Sequence, residues 1–116
     1  MIYIIDDDEI MCECIARACK TKTRIFSNAI EAMAKISSGE TPSLIFLDVM
    51  LDGPDGFTFL NELVSYTDTA KIPIVIVSTL NFKRQDLSEY GVVGTLDKAT
   101  MTPQEIKNYV DKYCSN

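Results

Sequence analysis

The sequence predicts an α/β fold in which a parallel β-sheet is covered by helices on both faces. Short apolar runs rich in isoleucine and valine recur along the chain and do not alternate with polar residues, which is typical of strands buried on both sides. Segments with helical periodicity lie between these runs, so that strand and helix alternate five times. This order implies right-handed crossovers and a doubly wound sheet.

Five segments are predicted as strands. Four are apolar runs: Ile2–Ile5, Leu44–Leu47, Ile74–Val77 and the weaker Val92–Leu96. The fifth, Thr23–Phe26, is short and less apolar, so we expect it nearer an edge of the sheet.

The predicted helices fill the intervals between the strands. The first four are Glu9–Cys19, Ala29–Ile36, Phe57–Val64 and the weak, polar Phe82–Tyr90. The second follows Asn28, a good N-cap residue, with Glu31 three positions later.

The last helix has the clearest signals. Thr102 caps it, Pro103 occupies its first turn, and Glu105 completes a capping box. Its apolar stripe consists of Ile106, Tyr109, Val110 and Tyr113.

Composition and charge exclude several functional classes. The 116 residues suit a single domain, 1–116, and no apolar run approaches the ~20 residues that cross a bilayer, so we expect no membrane partner. The net charge is -6 and the 11 basic residues are scattered, which argues against a nucleic-acid partner. No signal peptide is visible, so we expect a cytoplasmic protein.

Polar side chains follow four of the predicted strands. They are Asp6, Asp7 and Asp8 after the first, Asp48 after the third, Ser78 and Thr79 after the fourth, and Asp97 and Lys98 after the fifth. These positions meet at one edge of a parallel sheet, where clustered carboxylates repel one another unless a cation joins them. Oxygen ligands without histidine point to Mg²⁺, and a nearby hydroxyl and lysine suit a phosphoryl group.

Each of these residues also has a purely structural explanation. The aspartate run before a helix suits capping and a favourable charge at the helix N-terminus, which we expect of Asp8 and Glu9. Ser78 alone suits a turn, and Lys98 alone suits a solvated surface. Their recurrence at the ends of four strands favours a shared site.

The chain resembles the bacterial response-regulator receiver domain, the CheY-like family, over its full length. The matching strings are IIDDDE at 4–9, SNAIEAM at 27–33, LIFLDVMLDGPDGF at 44–57, PIVIVSTLN at 73–81 and GVVGTLDKA at 91–99. The resemblance implies a flavodoxin-like sandwich of five βα units with the parallel strands in the order 2-1-3-4-5.

The resemblance also implies the role of each site residue. Asp48 is the expected phosphoacceptor, Ser78 the switch hydroxyl and Lys98 the family's lysine. The Mg²⁺ ligands would be Asp6, Asp7, Asp48 and the backbone carbonyl of Met50.

The implied partners follow from the same resemblance. The phosphoryl donor would be a phosphohistidine on a sensor histidine kinase or a histidine phosphotransfer protein. An output protein would bind the face formed by the Phe82–Tyr90 helix, the fifth strand and the last helix. The chain would be a signalling switch rather than an enzyme, catalysing only its own phosphorylation and dephosphorylation.

Several positions depart from the family pattern. Ala99 stands where proline usually follows the lysine, so we expect a trans Lys98–Ala99 bond. Thr95 stands where an aromatic side chain usually reports phosphorylation, and Leu51 and Asp52 replace the proline usual after the phosphoacceptor.

These departures bear on how the switch would report and how long it would stay on. Without an aromatic at Thr95, we expect the signal to pass through the backbone after Ser78 and the Phe82–Tyr90 helix. Met50 and Leu80 flank the expected path of the attacking water, and neither orients it, which predicts slow self-dephosphorylation.

Three alternative classes fit the sequence less well. A pseudo-receiver would have the fold and bind partners without phosphorylation, although the intact set of site residues argues against it. A haloacid-dehalogenase-type phosphatase would need a second aspartate two residues after Asp48, where the chain has Met50. A flavodoxin-type binder would need a phosphate-cradling loop after the first strand, where three aspartates would repel phosphate.

Overall fold

The computed structural model describes residues 1–48, 56–78 and 90–114. The strands are β1 (Ile2–Ile5), β2 (Thr23–Phe26), β3 (Leu44–Leu47), β4 (Ile74–Ser78) and β5 (Val92–Asp97). The helices are α1 (Glu9–Cys19), α2 (Ala29–Ser37), α3 (Gly56–Val64) and α4 (Pro103–Cys114). The helix predicted over Phe82–Tyr90 lies, apart from Tyr90, outside the described residues.

The five strands form one parallel sheet in the order β2-β1-β3-β4-β5, which confirms the predicted fold class. β2 lies at an edge, as expected from its composition, and Ile25 in it is exposed. β1 and β3 are neighbours whose last residues are in register, Ile5 opposite Leu47. The residues that follow these two strands therefore begin at the same height on the sheet.

The apolar side chains form two layers, one on each face of the sheet. One layer packs the sheet against α2 and α3 and is centred on residues such as Tyr3, Ile45 and Leu60. The other packs it against α1 and α4 and includes Ile4 and Phe46. None of the described helices is both long and apolar enough to span a membrane.

The helix starts confirm the predicted capping residues. Asn28 Oδ1 accepts the Glu31 N–H at 2.9 Å. At α4, Thr102 Oγ1 accepts the Glu105 N–H at 3.2 Å while Glu105 Oε1 accepts the Thr102 N–H at 2.9 Å, a complete capping box. These local bonds satisfy backbone donors that a helix start leaves unpaired.

β4 and β5 each extend one residue further than the sequence predicts. A register shift between Ile74 and Val75 inserts an extra residue into β5, and the two strands then pair to their ends, with Ser78 opposite Asp97. Ser78 and Asp97 are consequently the last residues of their strands rather than the first residues after them. This pairing brings the end of β5 level with the end of β4.

Gly94 of β5 lies beneath the ring of Tyr109 of α4. A Cβ atom at Gly94 would overlap the Tyr109 phenol, so a larger residue at this position would force the Tyr109 ring to move. The contact joins the second half of α4 to β5, the strand that directly precedes Lys98.

Candidate functional site

Asp6 and Asp48 form the buried floor of the candidate site. They follow β1 and β3 directly, and the Asp48 N–H donates to the Ile5 carbonyl at 2.9 Å, which continues the pairing of the two strands. Asp6 is 3% exposed and Asp48 is 5% exposed. Two carboxylates are therefore held side by side at the carboxyl edge of the sheet, largely out of water.

The Lys98 ammonium lies between these two carboxylates. Its Nζ is 2.9 Å from Asp6 Oδ2 and 3.0 Å from Asp48 Oδ2, and the Lys98 side chain is only 14% exposed. One positive charge is thus paired with two negative charges, so Asp6, Asp48 and Lys98 together carry a net negative charge when all three are ionised. A buried charge of this kind is costly unless another cation compensates it.

The start of α1 holds the Asp6 carboxylate in place. Asp6 Oδ1 accepts the Asp8 N–H at 3.0 Å. Asp8 itself caps α1, because its Oδ1 accepts the Met11 N–H at 3.2 Å, as predicted. The Cys12 thiol donates to the Asp6 carbonyl at 3.3 Å, a contact that the sequence did not indicate.

Burial and neighbouring charges leave the pKa values of Asp6 and Lys98 above their ordinary values. Burial raises the pKa of Asp6 above its ordinary value of 3.8, the Asp48 charge raises it further, and the bonds from Lys98 and Asp8 offset this only in part. For Lys98, burial lowers the pKa, but hydrogen bonds and charges from Asp6 and Asp48 outweigh it and hold the pKa above 10.5. Lys98 is therefore firmly cationic, whereas the ionised form of Asp6 is disfavoured.

The carboxylates fit a hard divalent cation. Asp6, Asp7 and Asp48 each offer one oxygen, and these oxygens lie within 4.8 Å of one another. Asp6 Oδ2 is buried, and its one partner in the part of the chain that the structure describes is the Lys98 ammonium at 2.9 Å, which is shared with Asp48. Asp7 is exposed, so the cluster has an open side. An oxygen-only donor set of this kind suits Mg²⁺.

The remaining predicted site residues fall into two groups. Ser78 is 2% exposed at the end of β4, and its carbonyl accepts the Lys98 N–H at 3.1 Å, so its backbone is tied to the lysine. Met50, Thr79 and Leu80 lie outside the described residues. The Lys98–Ala99 bond is trans, as expected.

Besides the Cys12 contact, sequence reasoning missed an interaction in the turn that follows β5. Asp97 Oδ1 accepts the Ala99 N–H at 2.8 Å and so shapes the turn that follows Lys98. The available signal is Asp97 two residues before Ala99, because an Asx turn uses this spacing and needs a backbone N–H that proline lacks. The composition of the turn alone does not distinguish it from a solvated acidic residue.

Comparison with known proteins gives a family match over nearly the whole chain. The model of the response regulator receiver domain family matches residues 2–111. The chain is 34% identical over 85 residues to protein-glutamate methylesterase/protein-glutamine glutaminase 1 of Pseudomonas savastanoi pv. phaseolicola, a match that covers 72% of this chain and 23% of that protein. The chain thus spans about a quarter of the length of such relatives.

Solved structures show the same fold. The receiver domain of NtrX from Brucella abortus has a TM-score of 0.78 at 22% identity, covering 97% of each chain. The phosphorylated cyanobacterial phytochrome response regulator RcpA has a TM-score of 0.78 at 23% identity, covering 98% of this chain and 93% of that one. At these identities the likeness supports the fold alone.

Proposed function

This chain belongs to the response regulator receiver domain family, and we propose that residues 1–116 form one receiver domain that accepts a phosphoryl group on Asp48. The observation that carries the proposal is the Lys98 ammonium held at 2.9 and 3.0 Å from two buried carboxylates, Asp6 and Asp48. A bridged charge cluster at the carboxyl edge of a parallel sheet suits phosphoryl transfer, which depends mainly on positioning and electrostatics.

Asp48 is the proposed nucleophile. One of its carboxylate oxygens forms a bond to phosphorus while the P–N bond of a donor phosphohistidine breaks. The bonding electron pair stays on the imidazole nitrogen, which takes up a proton, and Asp48 becomes an acyl phosphate. The position of Asp48 supports this role, because it stands beside Lys98 and directly follows the central strand β3.

Lys98 and Ser78 are the proposed partners of the phosphoryl group. The Lys98 ammonium, already paired with Asp48 at 3.0 Å, would balance the negative charge that arrives with the phosphoryl oxygens. Ser78 ends β4 beside Lys98, and its hydroxyl would donate a hydrogen bond to one of those oxygens. Movement of Ser78 toward the phosphoryl group would then displace the backbone that follows β4.

Asp6, Asp7 and Asp48 are the proposed ligands of Mg²⁺, together with the Met50 carbonyl, which the sequence resemblance implies. When bound, the ion supplies positive charge that lowers the repulsion between the carboxylates and the entering phosphoryl oxygens. The buried Asp6 Oδ2 supports this assignment, because among the described residues its one partner is an ammonium that it shares with Asp48.

We propose a sensor histidine kinase or a histidine phosphotransfer protein as the donor, acting in the cytoplasm, where ATP charges such kinases. The phosphorylated domain would bind an output protein through the surface of residues 82–90, β5 and α4. Receiver domains are signalling switches rather than classical enzymes, and the methylesterase match covers only 23% of that protein, so its activity is not transferred to this chain.

The proposal is tested by incubating the protein with Mg²⁺ and acetyl phosphate, a small-molecule phosphodonor, and measuring the intact mass. We expect the mass of one added phosphoryl group on the wild type and none on Asp48→Asn. Circular dichroism provides the folding control for the variant. An unmodified wild type that folds and binds partners would instead favour the pseudo-receiver alternative.

A further inference from the structure

The chain turns sharply after β5, and Asp97 holds this turn together. Asp97 Oδ1 accepts the Ala99 N–H at 2.8 Å. The Asp97 carbonyl accepts the N–H groups of Thr100 at 3.1 Å and Met101 at 2.8 Å. Asp97 thus satisfies three successive backbone donors. We call the segment 97–101 the Asp97 turn.

Lys98 occupies the second position of the Asp97 turn. Its N–H donates to the Ser78 carbonyl at 3.1 Å, and its side chain reaches Asp6 and Asp48 at 2.9 and 3.0 Å. A lysine side chain loses many rotamers when it is fixed in one position. A backbone anchored on both sides of Lys98 sets where this flexible side chain starts, and so favours the ammonium position between the carboxylates.

A carboxylate at position 97 is not explained by charge. The neighbouring site already gathers the oxygens of Asp6, Asp7 and Asp48 within 4.8 Å, and a further negative charge repels an incoming phosphoryl anion. Asp97 is exposed, so solvent screens this repulsion but does not reverse it. The useful property of Asp97 is therefore its acceptor oxygen, which forms an Asx turn with Ala99.

We propose that Asp97 is a positioning residue, which holds Lys98 in the pocket through the Asp97 turn and thereby sets how fast Asp48 accepts a phosphoryl group. The inference rests on the proposed function of Asp48. It goes beyond that function, because it assigns a task to a side chain outside the proposed set of metal ligands and phosphoryl partners.

The test compares two substitutions at one position. Asp97→Ala removes the acceptor oxygen, whereas Asp97→Asn keeps an acceptor oxygen and removes the charge. The readout is the rate of phosphorylation by acetyl phosphate with Mg²⁺, measured well below the Tm of every variant. We expect Asp97→Ala to slow the rate about tenfold, because the Lys98 ammonium would then be held less precisely beside Asp48. Asp97→Asn should match or exceed the wild-type rate.

Two further measurements separate positioning from general stability. Asp68→Ala removes an exposed acidic residue from the segment that follows α3 and should leave the rate unchanged. In a Lys98→Met background, Asp97→Ala should cause no additional slowing, because residues that act through one another are not additive. Amide exchange at Ala99 should be protected in the wild type and in Asp97→Asn but not in Asp97→Ala.

The outcomes distinguish this inference from the proposed function. A wild type that acetyl phosphate does not label overturns both. A labelled wild type with an equally fast Asp97→Ala variant overturns the positioning role alone, as does an Asp97→Asn variant as slow as Asp97→Ala. Equal slowing by Asp97→Ala with and without Lys98 also overturns it. If Lys98→Met abolishes labelling, the comparison in that background gives no rate. The rates of Asp97→Asn and Asp97→Ala then decide whether the acceptor oxygen positions Lys98.

Discussion

Replacing Lys98 with methionine should destabilise the protein strongly at neutral pH. Methionine keeps most of the aliphatic stem but removes the ammonium that lies 2.9 Å from Asp6 and 3.0 Å from Asp48. Both carboxylates are almost fully buried, and removing one partner of a buried ion pair costs about 3 kcal/mol or more. For a domain of this size each kcal/mol lowers the Tm by about 4 °C, so we expect a decrease of roughly 12 °C or more.

The loss of stability in Lys98→Met should depend on pH in a defined direction. Removing the ammonium takes away a charge that lowers the pKa of Asp6, so this pKa, already above 3.8 because of burial, rises further. A carboxyl with a higher pKa in the folded than in the unfolded chain binds protons preferentially when folded. The free energy of unfolding therefore increases as the pH falls through that pKa toward 3.8, and the deficit shrinks.

The assay measures the Tm of the wild type, Lys98→Met and Lys107→Met by thermal unfolding. The melts are recorded with and without Mg²⁺ at pH values from neutral down to 3.8, the ordinary pKa of aspartate. Lys107 is an exposed lysine of α4, so its replacement controls for the loss of one positive charge. Mg²⁺ should restore more stability to Lys98→Met than to the wild type, because a bound ion compensates the same carboxylates. An unchanged Tm in Lys98→Met, or a deficit equal at every pH, would refute the account of the charge cluster.

Three further predictions address neighbouring features. Asp7→Ala should raise the free energy of unfolding without Mg²⁺ by less than about 1 kcal/mol, and hence raise the Tm slightly, and it should weaken Mg²⁺ binding. Mg²⁺-dependent melting equal to that of the wild type would remove Asp7 from the metal site. The Glu40 carboxylate accepts hydrogen bonds from the Tyr3 hydroxyl and, at 3.0 Å, from Arg24 Nε. These bonds lower the pKa of Glu40 below 4.5, so the stability that Glu40 contributes above pH 4.5 is lost as the pH falls through that lowered pKa. Tyr3→Phe should make this acid-induced loss smaller in melts across that range, and an identical pH profile would contradict it. Phosphorylated wild type should decay more slowly than a Met50→Asn, Leu80→Glu double variant when followed by intact mass; equal decay would disprove the argument from water access.

Most of the fold could be predicted from the sequence because its signals are local. The apolar runs Ile2–Ile5 and Leu44–Leu47 have no polar face, so they fit only a sheet covered on both sides, and the structure confirms their bounds. The capping box at Thr102 and Glu105 is likewise fixed by residues three positions apart. The register shift between Ile74 and Val75 could not be predicted, because it depends on how β5 packs against a neighbouring strand.

The candidate site was predictable in its residues and less so in its contacts. Aspartates after β1 and β3 must meet at one sheet edge, which follows from the parallel order alone. That Lys98 would bridge both Asp6 and Asp48 depends on side-chain geometry across the sheet. The bond from Ala99 to Asp97 depends on the exact backbone path of a turn, which composition does not specify.

The central claim, that Asp48 is the phosphoacceptor, is tested most directly by locating the phosphoryl group. Borohydride reduces an aspartyl phosphate to homoserine and leaves a phosphoserine intact, so peptide mass spectrometry after reduction identifies the modified residue. After treatment with acetyl phosphate and Mg²⁺, the account predicts homoserine at position 48 in the wild type and no homoserine in Asp48→Asn. Homoserine at another aspartate, or a stable phosphoester on Ser78 with residue 48 unmodified, would contradict it.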